Sequence, residues 1–186
     1  MVALATVLSF IKVYEAPYGG SVTLMSMLPI IILSVRRGTK CGLASGFVYS
    51  VIQLLFGLSN VAWVPSVSGI IICILLDYII PFTLIGLAGI FAKKAESRGR
   101  IIVMALIGAI VVMLVRYLCH IFSGVAVWYA LDLVWYADDP THIVHMYGPW
   151  AFSAIYNGTF MLPEIVITAI GTAVCAASKA IVPEKK

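Results

Sequence analysis

The stretch that decides the fold class is IIVMALIGAIVVMLVRYLCHIFSG, residues 101–124. An apolar run of about 20 residues is long enough to cross the hydrocarbon core of a bilayer as a helix. The other apolar segments lie near residues 2–15, 22–38, 40–58, 68–92 and 152–182. The first of them is short for a complete crossing. The sequence therefore predicts an all-α integral membrane protein, a six-helix bundle forming one transmembrane domain over residues 1–186.

The composition favours the same class. Hydrophobic residues make up 62% of the 186-residue chain and charged residues only 11%, whereas about a quarter of the residues in a soluble domain are charged. A soluble domain of this length keeps too much surface to bury so many apolar side chains. The cysteines show no CxxC spacing, so the sequence indicates neither a disulfide framework nor a zinc site; they are Cys41, Cys73, Cys119 and Cys175.

Basic residues between the apolar segments predict the orientation. They form three clusters: Arg36, Arg37 and Lys40; Lys93, Lys94, Arg98 and Arg100; and Lys179, Lys185 and Lys186. With six spans all three clusters lie on one side, and Lys and Arg accumulate on the cytoplasmic side of membranes. We expect both termini in the cytoplasm and a multi-pass protein in the bacterial plasma membrane. The net charge of +4 is compatible with nucleic-acid binding, but the basic residues lie beside the spans, which favours an orientation signal instead.

Four ionisable residues lie inside predicted spans: Asp77, Arg116, His120 and Glu164. Each costs about 2.5–3.5 kcal/mol at a helix centre unless it pairs, reaches water or binds a ligand. Arg116 and His120 are one helical turn apart and share a face of their helix. Two interpretations stay open for Arg116 and Glu164, an ion pair that holds the bundle together or a place in a ligand site.

Aromatic and amide side chains accompany two of these residues, with Tyr78 beside Asp77 and Trp128 beyond His120. A carboxylate accepts hydrogen bonds from amines, aromatic faces attract delocalised cations, and an amide such as Asn157 both donates and accepts. The set predicts a pocket near the outer face for a flat, cationic, nitrogen-rich molecule.

Small residues predict where helices touch, because they let two backbones approach closely. Gly42 and Gly46 form a GxxxG pattern, and alanines repeat every fourth residue at Ala169, Ala173 and Ala177.

Motifs for catalysis or energy coupling are absent from the sequence, which contains no GxxxxGK[ST], GxSxG or HExxH. We therefore expect no enzyme and no ATP bound through a phosphate loop. Ser123 is interpreted as a packing residue rather than a nucleophile. His142 and His145 are interpreted as solvated loop residues rather than metal ligands, so neither a metal nor another cofactor is expected.

Several stretches of the chain, in one register over nearly its whole length, carry a family resemblance. They are GGSVTL at 19–24, LSVRRG at 33–38, LDY at 76–78, RYLCH at 116–120 followed by Trp128, and YNG at 156–158. With these stretches the chain resembles the thiamine-specific substrate-binding membrane subunits, or S-components, of energy-coupling-factor transporters, the ThiT family.

The resemblance implies a high-affinity thiamine-binding subunit that captures thiamine outside the cell. The family's acidic residue for the aminopyrimidine ring falls on Asp77, next to Tyr78. The histidine and tryptophan of its ring sites fall on His120 and Trp128, and its amide falls on Asn157. The implied partners are a transmembrane coupling protein and two cytoplasmic ATPases, which alone bind ATP, with membrane lipid around the subunit.

Three positions depart from the family pattern. Phe152 stands where the family has a tyrosine, Tyr18 or a glycine stands where some members have a tryptophan, and Asp77 replaces a glutamate. The shorter Asp77 side chain implies a ligand closer to its helix. These departures keep a second interpretation open, an S-component for another vitamin or for a thiamine precursor.

Overall fold

The computed structural model of the protein describes residues 1–17, 19–93, 95 and 97–178. The predictions made on Tyr18, on Lys94 and on the basic C-terminal residues fall outside these ranges. The described chain is mostly helical and contains one two-stranded antiparallel sheet. Its elements in chain order are α1 (Val2–Ser9), β1 (Lys12–Glu15), β2 (Ser21–Thr23), α2 (Leu28–Arg37), α3 (Thr39–Phe56), α4 (Leu58–Val61), α5 (Val67–Ala92), α6 (Arg98–Trp135), α7 (Ile143–Met146) and α8 (Pro149–Ala177).

Four of these helices, α3, α5, α6 and α8, are long and apolar enough to cross a membrane. They correspond to the predicted spans at 40–58, 68–92, 101–124 and 152–182. Helix α6 continues beyond the predicted end of its span to Trp135. On its lipid-accessible side α8 exposes a row of apolar side chains, namely Leu162, Val166, Ile170 and Val174.

The first two predicted spans are wrong as continuous helices. Helix α1 has 8 residues and α2 has 10, about 12 and 15 Å of helix against a hydrocarbon core of about 30 Å. Between them the chain forms a β-hairpin, in which Tyr14 lies opposite Val22. Pro17 interrupts the apolar segment, and Gly19 turns the chain at a φ of +92°, which glycine tolerates. Pairing within the hairpin satisfies backbone groups that a broken helix would leave unpaired.

Glycines bring α3 into close contact with α5. A Cβ atom added to Gly42 would lie 2.6 Å from the carbonyl oxygen of Gly86, and one added to Gly46 would lie 2.8 Å from that of Thr83. The predicted GxxxG contact is therefore confirmed. The alanine repeat is not the buried face of α8: Ala169 and Ala173 are partly exposed and Ala177 is exposed, whereas the helix buries Glu164, Thr168, Gly171, Thr172 and Ala176.

Two π-helical turns interrupt the long helices, Ile74–Ile79 in α5 and Gly124–Trp128 in α6. A π turn contains an extra residue and is frequent at functional sites. The first includes Asp77 and Tyr78, and the second ends at Trp128. Both turns therefore lie at predicted ligand residues.

The basic loops meet at one end of the bundle. Val35, Ala92, Ala105 and Ala176 pack in a single apolar cluster. This contact brings the end of α2, with Arg36 and Arg37, close to the connection from α5 to α6, with Lys93, Arg98 and Arg100. The Arg98 guanidinium donates to the carbonyl oxygen of Ala177 at this end. The hairpin, the end of α3 and the start of α8 lie at the opposite end, around a cavity.

Candidate functional site

A cavity of about 710 Å³ lies between the hairpin and the long helices, within the range of about 300–1,000 Å³ that is usual for small-molecule sites. All six predicted ligand residues line it: Asp77, Tyr78, His120, Trp128, Phe152 and Asn157. They come from α5, α6 and α8, three helices that are far apart in sequence. The structure thus brings the predicted residues to one place, and their contact with a ligand stays a prediction.

The carboxylate of Asp77 is the centre of the site. It accepts a hydrogen bond from His120 Nδ1 at 3.0 Å, one from Ser123 Oγ at 2.6 Å and one from Trp128 Nε1 at 2.9 Å. We name these four residues the carboxylate cluster. An ionised carboxylate offers about four acceptor positions, so the cluster leaves about one for a ligand donor.

His120, within the cluster, and Asn157, beside it, each have one side-chain atom without a hydrogen bond among the described residues. Because a carboxylate only accepts, His120 Nδ1 carries the hydrogen; its Nε2 is buried and has no hydrogen-bond partner in the described part of the chain. The side-chain amide N–H groups of Asn157 donate to the carbonyl oxygen of Ser153 at 2.9 Å and to that of His120 at 3.3 Å. Its amide oxygen remains as the group that can accept a hydrogen bond from a ligand.

Tyr78 and Phe152 contribute the sides of the cavity. The Tyr78 hydroxyl donates to the carbonyl oxygen of Gly57 at 3.3 Å and so joins α5 to the end of α3. The Phe152 ring is 1% exposed and stacks at 14° on Tyr156, with ring centroids 6.3 Å apart. Phe152 therefore offers the cavity an apolar ring without a hydroxyl.

Arg116 and Glu164 do not form the ion pair that one interpretation predicted. The Arg116 guanidinium lines the cavity and lies 4.5 Å over the Phe82 ring, and its Nε and Nη1 atoms have no hydrogen-bond partner among the residues described. Glu164 instead accepts two hydrogen bonds from Thr23, from its backbone N–H at 2.6 Å and its hydroxyl at 2.7 Å. The two charges still interact electrostatically, so they are neighbours without contact.

The sequence missed one member of the carboxylate cluster and one source of cavity residues. Ser123 was interpreted as a packing residue, but its hydroxyl donates to Asp77. The hairpin contributes Lys12, Glu15 and Thr23 among others, and no side-chain pattern in an apolar segment indicated that it would turn back over the helices. The spacing of Ser123 from His120, close to one helical turn, was the sequence signal that could have indicated the contact of Ser123 with Asp77.

The loop with the two other histidines lies apart from the cavity. His142 stacks on Tyr136 with ring centroids 3.7 Å apart, and the His145 ring is 2.7 Å from the Tyr136 carbonyl oxygen. Asp139 accepts a hydrogen bond from the Thr141 hydroxyl, which lowers the pKa of that carboxyl. These contacts stabilise a turn at the surface.

A family model described as thiamine transporter protein matches residues 1–182 of the chain. The chain belongs to this thiamine transporter family. It is 33% identical over 178 residues to the thiamine transporter ThiT of Bacillus subtilis, with 91% of this chain and 83% of the relative covered. It is 29% identical over 151 residues to the thiamine transporter ThiT of Lacticaseibacillus paracasei, with 77% and 67% covered.

The fold of this thiamine transporter family member is also similar to a solved structure of ThiT from Listeria monocytogenes. The TM-score is 0.74 at 25% identity, over 98% of this chain and 93% of that one. The predicted resemblance to the ThiT-family S-components is confirmed. The prediction of a multi-pass membrane protein is confirmed as well, since family membership joins four membrane-length helices.

Proposed function

We propose that the chain binds thiamine in the described cavity and is the substrate-binding subunit of an energy-coupling-factor importer. The observation that carries the proposal is the convergence of Asp77, His120, Trp128 and Asn157 on one cavity of ligand size, in a member of the thiamine transporter family. Each residue type suits a flat, nitrogen-rich cation, and three helices must pack as they do for the four to meet.

The ligand contacts follow from the free atoms of the site. The exocyclic amine of an aminopyrimidine donates to the remaining acceptor position of Asp77 or to the Asn157 oxygen. The Nδ1 hydrogen of His120 holds the Asp77 carboxylate in place for the ligand. The half-buried Trp128 offers an aromatic face to the rings of the ligand, and a cation over such a face gains about 2 kcal/mol when desolvated.

We further propose six membrane-embedded segments, in which α1 and α2 enter only part of the bilayer, with both termini in the cytoplasm. The support is the meeting of the basic loops at one end of the bundle and the positive-inside tendency. The cavity then faces the outside of the cell, from which the vitamin is captured.

The energy for import is proposed to come from partners, a transmembrane coupling protein and two cytoplasmic ATPases. The chain has no phosphate-loop motif of its own. We also propose that it catalyses no reaction; the support is that the sequence contains neither GxSxG nor HExxH.

Titration of the detergent-purified protein with thiamine tests the proposal. Calorimetry is expected to give saturable binding at sub-micromolar thiamine. Asp77→Asn should weaken binding at least tenfold, about 1.4 kcal/mol. Asp138→Asn, which removes an exposed carboxylate outside the cavity, should bind like the unchanged protein. The absence of saturable binding by the unchanged protein would overturn the assignment of thiamine.

One observation favours a second candidate, a thiamine precursor as the ligand. Phe152 is fully buried and has no hydroxyl for the ligand, so recognition rests more on the aminopyrimidine end at Asp77. Competition between thiamine and a free hydroxymethyl aminopyrimidine separates the two candidates. Tighter binding of the free pyrimidine would favour the precursor.

A further inference from the structure

Glu164 is a buried carboxylate that does not line the cavity and contacts the hairpin. It is 1% exposed, and both of its oxygens accept hydrogen bonds from a single residue, Thr23, 141 positions earlier in the chain. Thr23 is 4% exposed and lies at the end of β2. Its hydroxyl is also 2.6 Å from that of Ser26; because the Thr23 hydrogen goes to Glu164, Ser26 donates to Thr23.

A carboxylate at this position is costly, and its partners explain why it is stable there. Burial of a charge is unfavourable unless the charge is hydrogen-bonded and paired. Here two charge-assisted hydrogen bonds, the stronger kind in proteins, attach the hairpin to α8. Arg116, whose guanidinium lines the cavity, supplies the opposite charge at a distance.

On α8, Glu164 lies between Phe160, which packs against Gly20 in the hairpin turn, and Gly171, which packs against Met25 just after β2. A Cβ atom added to Gly20 would lie 2.3 Å from the Phe160 ring, and one added to Gly171 would lie 2.7 Å from the Met25 sulfur. These contacts are steric, whereas the contact of Glu164 with Thr23 is directional. A substitution of Glu164 that keeps its size therefore changes the directional contact while leaving the apolar packing in place.

We propose that Glu164 is a positioning residue for the ligand site, which holds the hairpin across the cavity through Thr23 and thereby slows ligand release. The proposal rests on the proposed function, since it requires a ligand in the cavity. Glu164 does not touch that ligand. Its effect passes through Thr23, which lines the cavity.

The first test is the dissociation rate of thiamine from Glu164→Gln. The amide keeps the size of the side chain but loses the charge and one of the two acceptors. We expect dissociation about tenfold faster and association within about twofold of the unchanged protein. Thr172→Val is the matched control, because among the described residues the Thr172 hydroxyl, on the same helix, bonds only to the carbonyl oxygen of Thr168. An unchanged dissociation rate in Glu164→Gln would overturn the proposal.

Two substitutions at Thr23 test the same contact from the hairpin side. If Glu164→Gln does not fold, they show whether this contact slows the release of thiamine. Thr23→Val removes the hydroxyl donor and should release thiamine faster, by about fivefold. Thr23→Ser keeps the donor and should restore the original rate. The combination of Thr23→Val with Glu164→Gln should be no faster than Glu164→Gln alone; additive effects would show that the two residues act separately.

A labelling experiment separates positioning from general loss of structure. With the native cysteines replaced, Ser21→Cys in β2 reports exposure of the hairpin to a membrane-impermeant maleimide. Addition of Glu164→Gln should speed labelling without thiamine present, whereas addition of Thr172→Val should not. If the unchanged protein fails to bind thiamine, the proposed function fails while labelling still tests the hairpin contact. Equal labelling rates with normal thiamine binding would refute the positioning role alone.

Discussion

The carboxylate cluster and the hairpin border the same cavity but are held in place by different means. The cluster belongs to α5 and α6, long helices whose backbone hydrogen bonds form independently of the ligand site. The hairpin consists of strands of four and three residues, and an isolated two-stranded hairpin is at best marginally stable. Its position depends on contacts with α8. The residues proposed to recognise the ligand thus lie on rigid helices. The hairpin, which borders the cavity, depends on its contacts with α8.

The largest effect is expected at the cluster, from Asp77→Ala. It leaves three donors without their acceptor, His120, Ser123 and Trp128, and each buried unsatisfied group costs about 1–3 kcal/mol. Thiamine binding should weaken at least about 100-fold, which is about 2.8 kcal/mol, and the melting temperature should fall by at least about 6 °C. Calorimetry and thermal unfolding measure the two effects. A normal melting temperature would contradict the view that the cluster supports the helices as well as the ligand.

The next effect is expected at the hairpin, from Gly20→Ala. The new methyl group overlaps the Phe160 ring, and overpacking costs about 1–3 kcal/mol. Binding should weaken about 30-fold, near 2 kcal/mol, with a smaller change in melting temperature than Asp77→Ala. Adding Phe160→Leu, which makes room for the methyl group, should recover part of the loss. A melting temperature as low as that of Asp77→Ala would show that the hairpin is as integral to the bundle as the cluster.

A smaller effect is expected from Trp128→Phe, which keeps an aromatic ring in the cavity but removes the N–H that donates to Asp77. Loss of one such bond costs about 1 kcal/mol, so thiamine should bind about fivefold more weakly. Trp150→Phe serves as the control, since Trp150 is exposed outside the cavity, where it contacts Phe122. Calorimetry is preferred here because both variants alter the tryptophan signal. Equal losses of thiamine affinity in the two variants would show that Trp128 has no specific role in the site.

The smallest effect is expected from Tyr78→Phe. Its hydroxyl bond to the Gly57 carbonyl oxygen is long, at 3.3 Å, and bonds of that length are weak. Binding should change by no more than about twofold while the ring stays in the cavity. A tenfold loss would indicate that the Tyr78 hydroxyl contacts the ligand directly.

The long helices and the residues of the site were predictable for different reasons. Spans such as 101–124 follow from apolar length alone. The cost of burying Asp77 and His120 inside a span predicted that they would find partners, and they bond to each other. Both inferences need only local sequence and a general energy scale.

The errors share a cause, which is that side-chain patterns do not reveal what backbone groups do. Residues 2–15 and 22–38 are apolar enough for helices, yet β1 lies at the end of the first segment and β2 overlaps the start of the second. Glu164 was a plausible partner for Arg116, but Thr23, with its backbone N–H and hydroxyl, bonds both of its oxygens. Neither that backbone N–H nor the fold of the hairpin can be read from charge or hydropathy.

The geometry of the site depends on the number of residues in the two π-helical turns. Successive residues of a helix point about 100° apart, so deleting one residue from Ile74–Ile79 would restore ordinary winding and turn Asp77 relative to the rest of α5. Every residue type of the cavity would still be present in such a chain, although its carboxylate would no longer face Trp128. Relatives compared position by position should therefore be matched for the length of these two turns before their binding residues are equated.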